Sequence, residues 1–178
     1  TGQGLDKPTE HRPARWRTPN APRETVGWFE AVAFCRWLSH KRSRPIRLPT
    51  EEEWQLAATG GDPTKVYPWG QKDVDGFAKC YDGTYFIGRT SAVGIYPKDE
   101  CGGVADLSGN VWEWTATSVD RDETRNQTGR FRVLRGGSWG NDQDGARSAD
   151  RSWDFPVDRD DSIGFRVLCS SPILSTDH

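Results

Sequence analysis

Apolar residues recur at helical spacing after Gly27. Trp28, Ala31, Val32, Cys35 and Leu38 fall on one face, with Glu30 in the first turn and Arg36 near the end. The pattern predicts an amphipathic helix of about three turns. Residues 46–48 read as a short strand-like bridge. Thr50 and Glu53 form a capping box, so a second helix starts at Glu51, turns Trp54, Leu56 and Ala57 inward and stops at Gly60 and Gly61. Downstream the helical period disappears. Residues 67–70 form a turn built on aromatics, and Gly102-Gly103 and residues 108–110 read as tight turns. Residues 111–115, 132–136 and 163–168 have strand character. Between Trp139 and Gly164 lies an irregular loop of about 24 residues that holds Asp142, Asp144, Asp150, Asp154, Asp158, Asp160 and Asp161 beside Trp153 and Phe155. A loop of that length is functional or disordered, and its aromatics favour a binding surface. Two early helices followed by short strands and long loops give an α+β domain.

The 178 residues suit one domain with a real core. A mean hydropathy of −0.81 would suit a disordered chain, but nine tryptophans and nineteen glycines point to an aromatic-rich, loop-rich core. The net charge of −2 and pI near 5.9 leave no electrostatic footprint for nucleic acid. The basic cluster Arg36, Lys41, Arg42, Arg44 and Arg47 fits the polar face and exit of the first helix. No apolar run is long enough to span a bilayer, and residues 1–22 read as an extended, Pro-rich arm rather than a signal peptide. Because Thr1 is not an initiator Met, a processed product or excised domain is expected. Cys35, Cys80, Cys101 and Cys169 show no CxxC pair, which argues against zinc and favours buried free thiols, with one disulfide as the alternative.

Four segments carry a family likeness: residues 26–31 with Cys35-Arg-Trp-Leu38; Arg47-Leu-Pro-Thr-Glu-Glu-Glu-Trp54; Gly109-Asn-Val-Trp-Glu-Trp114; and Arg135-Gly-Gly-Ser-Trp139 with Gly164-Phe-Arg166. In this order they resemble the formylglycine-generating enzyme (sulfatase-modifying factor) family, a variant of the C-type lectin fold, across residues 12–168. The resemblance implies two helices, short antiparallel strands and long irregular loops, with a C-type lectin-like domain over residues 23–178. The family's usual N-terminal strand region is missing or much reduced, which leaves open whether an upstream part was removed. Oxidase members of the family place a copper-binding cysteine pair between the Gly-Gly-Ser-Trp and Gly-Phe-Arg segments. Here no cysteine lies between Cys101 and Cys169, and Asp or Ser does not replace a soft thiolate. The related iron-dependent sulfoxide synthases need a histidine cluster, whereas this chain has only His11, His40 and His178. The resemblance therefore implies no catalysis and no required cofactor.

A subgroup of that family fits more closely. Variable proteins of diversity-generating retroelements carry a C-terminal cassette of the form Arg-Val-Leu-Arg-Gly-Gly-Ser-Trp, then variable positions among fixed Arg, Ser, Ala and Pro, then Gly-Phe-Arg-Val. Residues 132–168 are similar to it, with Arg132-Val-Leu-Arg-Gly-Gly-Ser-Trp139, fixed-looking Arg147-Ser-Ala149, Arg151 and Pro156, then Ile163-Gly-Phe-Arg-Val167. The positions that match variable ones are Gly140, Asp142, Asp144, Gly145, Asp150, Ser152, Trp153, Asp154, Phe155, Val157, Asp158, Asp160, Asp161 and Ser162. All except Trp153 are reachable from an Asn codon by changing adenines alone, so Trp153 is either fixed or templated by another codon. Trp153 and Phe155 are either anchors of this variant or plugs in the core.

In calcium-binding family members, the stretch matching residues 106–113 supplies the ligands. Carried over, they are Asp106, the Gly109 and Val111 carbonyls, and Glu113. The alternative is that Asp106 and Glu113 satisfy turn amides and a buried arginine such as Arg135 or Arg166. Arg135, Arg147, Arg151 and Arg166 are expected to staple loop carbonyls and carboxylates.

The resemblance thus implies a display domain that binds a protein or other macromolecule on the surface from Trp139 to Ser162. It implies neither nucleic-acid binding nor membrane insertion, and other domains are expected to be fused to it or associated with it. A formylglycine-generating-type oxidoreductase or its degenerate relative is the alternative, and a structural or regulatory domain with a merely decorative loop is the third reading.

Overall fold

A computed structural model describes residues 19–71, 88–96, 100–119 and 131–170. Most of the expected arm, Cys80, His11 and His178 lie outside these residues.

Helix α1 (Trp28–Arg42) runs one turn further than the apolar pattern predicts. The residues after Leu38 are polar and add no hydrophobic signal. Even so, His40, Lys41 and Arg42 suit the negative end of a helix, and Ser43 closes it at φ 49°. At the other end, the Gly27 N–H donates to Glu30 Oε2 at 2.8 Å. Helix α2 (Glu51–Thr59) has the expected reciprocal cap: Thr50 Oγ1 accepts from the Glu53 N–H, and Glu53 accepts from the Thr50 N–H at 2.8 Å. Gly60 ends it with φ 63°. Leu56 does not point inward, being 60% exposed; Trp54 and Ala58 are buried instead, with Ala57 packed beside them. The i, i+4 face that starts at Trp54 passes through Ala58, and Leu56 sits on the far side.

The strands are short. β1 (Ile46–Arg47) pairs antiparallel with β8 (Leu168–Cys169). β2 (Glu100–Cys101) and β3 (Val104–Ala105) form a hairpin around Gly102-Gly103, which has positive φ at both positions. The main sheet has the order β6-β5-β4-β7, built from β6 (Arg151–Asp154), β5 (Phe131–Arg135), β4 (Trp112–Val119) and β7 (Ile163–Phe165). Its β4–β7 pairing is parallel, with Trp112 opposite Ile163 and Trp114 opposite Phe165. β4 bulges between Trp114 and Ser118, and α2 docks on the irregularity: the Ala116 N–H donates to Pro49 O and the Glu51 N–H to Thr117 Oγ1.

Several expectations need correction. The stretch from Trp139 to Gly164 is not one irregular loop, because it contains a 3₁₀ turn (Asp144–Ala146) and the edge strand β6. Arg-Ser-Trp-Asp has no apolar alternation; its strand conformation comes from pairing with β5, Trp153 opposite Val133 and Asp154 opposite Arg132. Residues 163–168 are not a single strand, since β7 and β8 belong to different sheets. Of the described cysteines, Cys35 and Cys101 are buried free thiols, as expected, but Cys169 is exposed. Burial pushes the Cys35 thiol up to about 11.

One core cluster joins Ala31, Cys35, Leu48, Trp114, Leu134 and Ile163. A second joins Trp54, Ala58, Cys101 and Leu107. Together they fix α1 and α2 against the sheet, while the 139–162 segment supplies the edge strand β6 and leads on to β7 at the opposite edge.

Candidate functional site

The 139–162 segment is anchored to the framework largely through its backbone. Trp28 N–H donates to Pro156 O at 3.0 Å, Thr25 N–H to Asp160 O at 3.0 Å and Trp112 N–H to Ser162 O at 2.8 Å. The Trp139 indole donates to Asp161 O at 3.3 Å. Tyr67 Oη donates to Gln143 O at 3.2 Å and Ser108 Oγ to Ala146 O at 2.6 Å. The guanidinium of Arg135, which is 3% exposed, binds the carbonyls of Ser148, Ala149 and Asp150 as well as the Gln55 side chain. A carbonyl acceptor does not depend on the side chain of its residue. Each of these bonds therefore survives substitution at the position that accepts it.

The glycines of the flanking motifs serve the same arrangement. A Cβ on Gly137, whose φ is 72°, would lie 2.2 Å from Gly145 O. One on Gly164 would lie 2.6 Å from Arg23 O. Both positions let two backbones touch, which no larger residue permits.

None of the positions matched to variable ones is buried. Gly140, Asp142, Asp144, Val157, Asp160 and Asp161 are exposed; Gly145, Asp150, Ser152, Trp153, Asp154, Phe155, Asp158 and Ser162 are half-buried. Their side-chain bonds are mostly local. Asp142 caps the Gly145 N–H, Asp144 pairs with Arg147 at 2.6 Å, and Asp160 caps the Ser162 N–H at 2.8 Å. Phe155 packs its ring 4.4 Å from that of Phe131. Gly145 is the tightest of these positions, since a Cβ there would meet Asn141 Cβ at 2.9 Å.

Three of the four arginines staple as expected, and Arg147 pairs locally, with Asp144. Besides Arg135, Arg151 pairs with Glu51 through two nitrogens at 2.7 and 3.0 Å. Arg166 binds Glu113 and the carbonyls of Ala105 and Asp106. Sequence reasoning missed a cleft of about 570 Å³ between α2 and residues 149–151, lined by Glu51, Gln55, Leu56, Pro63, Arg135 and Arg151. The available signal was Leu56, which stands two residues from Trp54 and so off its helical face. It also missed the docking of residues 23–28 under the segment, because those contacts are carried by main-chain groups.

Asp154 and Asp158 share a hydrogen bond on this surface, and partial burial, followed by that bond, pushes the Asp154 carboxyl from 3.8 to about 6. Between those values the folded chain holds a proton more tightly than the unfolded one, so stability falls as pH rises through this window. Asp154→Asn keeps an acceptor for the Phe155 N–H. It is expected to raise stability by about 1 kcal/mol at pH 7, the full linkage value being reduced by solvent screening at this half-exposed site. The gain should vanish near pH 4, and thermal unfolding at the two pH values checks it.

The residues carried over for calcium do not fit that ion together. Glu113 is 6% exposed; it accepts from the Trp54 indole at 2.7 Å and from Arg166 Nη2 at 2.7 Å. The guanidinium opposes a second cation at the same carboxylate. Asp106 accepts from the Gly94 N–H at 2.7 Å, and the Gly109 N–H donates to Gly136 O. Burial pushes the Asp106 carboxyl above its ordinary range, against the pull of that N–H.

The family model for the sulfatase-modifying factor enzyme 1-like domain matches residues 2–171. The chain is 37% identical over 185 residues to the inactive C-alpha-formylglycine-generating enzyme 2 of Bos taurus, covering 89% of this chain and 56% of that protein. It is 30% identical over 196 residues to the formylglycine-generating enzyme of Mus musculus, covering 92% and 50%. The chain thus spans about half the length of these curated relatives. Among solved structures, Treponema denticola variable protein 1 superposes with a TM-score of 0.75 at 24% identity, over 93% of this chain and 78% of that one, a likeness of fold. With the two helices, the small curled sheet and the Gly-Gly-Ser-Trp and Gly-Phe-Arg segments in place, the chain belongs to the family of sulfatase-modifying factor enzyme 1-like domains.

Proposed function

We propose that this domain displays a replaceable binding surface, as a variable protein of a diversity-generating retroelement, and performs no catalysis of its own. The observation that carries the reading is the carbonyl anchoring of residues 143–162: Arg135, Trp28, Thr25, Trp112 and Trp139 grip main-chain oxygens while the matched side chains reach solvent. Such a frame does not depend on the side chains at its exposed positions, where substitutions seldom alter stability by more than about 0.5 kcal/mol. The absence of cysteine between Cys101 and Cys169 and the naming of one relative as inactive support the non-catalytic part. The fold shared with Treponema denticola variable protein 1 supports the display part. The ligand is a protein or other macromolecule, because the matched positions spread along residues 140–162 and none of them is buried.

Sequencing the locus tests the origin of the surface. A near-identical, non-coding copy of the segment for residues 132–168, beside a reverse transcriptase and differing only at adenines, is the expected result. Differences scattered over all four bases, or copper-dependent oxidation of a sulfatase-like peptide by this chain, would overturn the reading.

A further inference from the structure

The sign and texture of the surface identify the kind of ligand it suits. Residues 140–162 contain seven aspartates and three arginines. All three arginines are already engaged: Arg147 by Asp144, Arg151 by Glu51 of α2 and Arg159 by Glu30 of α1. Two of the three therefore neutralise framework glutamates, and only Arg147 is paired with an aspartate of the segment itself. Among the described residues, Asp142, Asp154, Asp158 and Asp160 have no ion-pair partner. Asp154 and Asp158 are instead turned on one another, an arrangement a neighbouring cation would relieve.

An apolar centre accompanies this charge. Val157 is 60% exposed between Asp154 and Asp160, and Phe29, in the first turn of α1, is 56% exposed. The chain segments that carry them meet at one seam. The carbonyls of residues 156–158 lie against Gly27, with Pro156 O 3.1 Å from where its Cβ would be. Arg159 binds both Val157 O and Glu30. Phe29 belongs to the framework, so part of the contact face is constant whatever the replaceable residues become.

We infer that the seam of Val157 and Phe29, with the carboxylates of Asp154, Asp158 and Asp160 around it, docks a protein segment presenting lysine or arginine beside an apolar side chain. The inference rests on the display reading and names the partner for this variant. Charge complementarity chooses that occupant: an acidic or neutral segment would leave these carboxylates facing like charge or losing water without compensation.

The test selects binders for the whole chain from a phage-displayed library of random peptides about 12 residues long, a length that spans one seam of this kind. Enriched peptides are expected to carry net positive charge and an apolar residue. Their binding should weaken about tenfold or more between low and roughly 0.5 M salt, and similarly in the D154N/D158N/D160N variant. Phe29→Ser should weaken it as well, with thermal unfolding confirming that each variant is folded. Enrichment of neutral or acidic peptides whose binding is still lost in Val157→Ser would overturn the basic partner and leave the display surface standing. Failure to enrich any peptide, or binding indifferent to every substitution in the 140–162 segment, would overturn both.

Discussion

Replacing Trp114 with alanine is expected to destabilise the domain by about 3–5 kcal/mol, a large fraction of the whole stability of a domain of this size. Trp114 is fully buried, packs in the cluster of Ala31, Cys35, Leu48, Leu134 and Ile163, and donates its indole N–H to Val26 O at 2.8 Å. Truncation removes the ring, leaves a cavity between α1 and the sheet, and strands the Val26 carbonyl that positions the strap under residues 156–160. Trp112, two residues earlier, is only half-buried and packs at the margin of the same cluster. Its alanine variant should cost clearly less. Denaturant unfolding of the two variants side by side checks the order, and equal losses would contradict the placement of the core.

Arg166→Met should be comparably severe, about 3–5 kcal/mol, for an electrostatic reason. The guanidinium binds Glu113, itself 6% exposed, and the carbonyls of Ala105 and Asp106. Without it a buried carboxylate has only the Trp54 indole as a donor among the described contacts. Adding Glu113→Gln to the variant should recover part of the loss, because glutamine still accepts from that indole and brings no charge to bury. A double variant no more stable than Arg166→Met alone would show that packing, and not the unpaired charge, sets the effect.

Much of the framework is visible in the residue pattern. The cap of Thr50 with Glu53, the stop at Gly60 and the Gly102-Gly103 turn are local devices, formed within a few residues of chain, and the structure has each of them. The roles of Arg135 and Arg166 were also legible, since buried guanidiniums in an irregular region need carbonyls and carboxylates. β6 was not legible. Its residues are polar, and its strand geometry is imposed by Val133 and Leu134 on the neighbouring strand. The seam of α1 with residues 156–160 was hidden for a related reason: main-chain bonds from Thr25 and Trp28 hold it, and main-chain bonds leave no mark on side-chain identity. That same property makes the segment suited to replaceable side chains. The Asp154–Asp158 pair fits the pattern too, as a place where local stability yields to a surface presented outward.

The most direct test of the display surface is a library in which Asp142, Asp144, Asp150, Ser152, Asp154, Val157, Asp158, Asp160, Asp161 and Ser162 are randomised together on an otherwise unchanged chain. The carbonyl-held frame predicts that most members unfold within a few degrees of the parent, and that members selected on different protein targets share the framework and differ only at these positions. A library in which most members fail to fold, or whose binders owe their specificity to residues outside the segment, would contradict it.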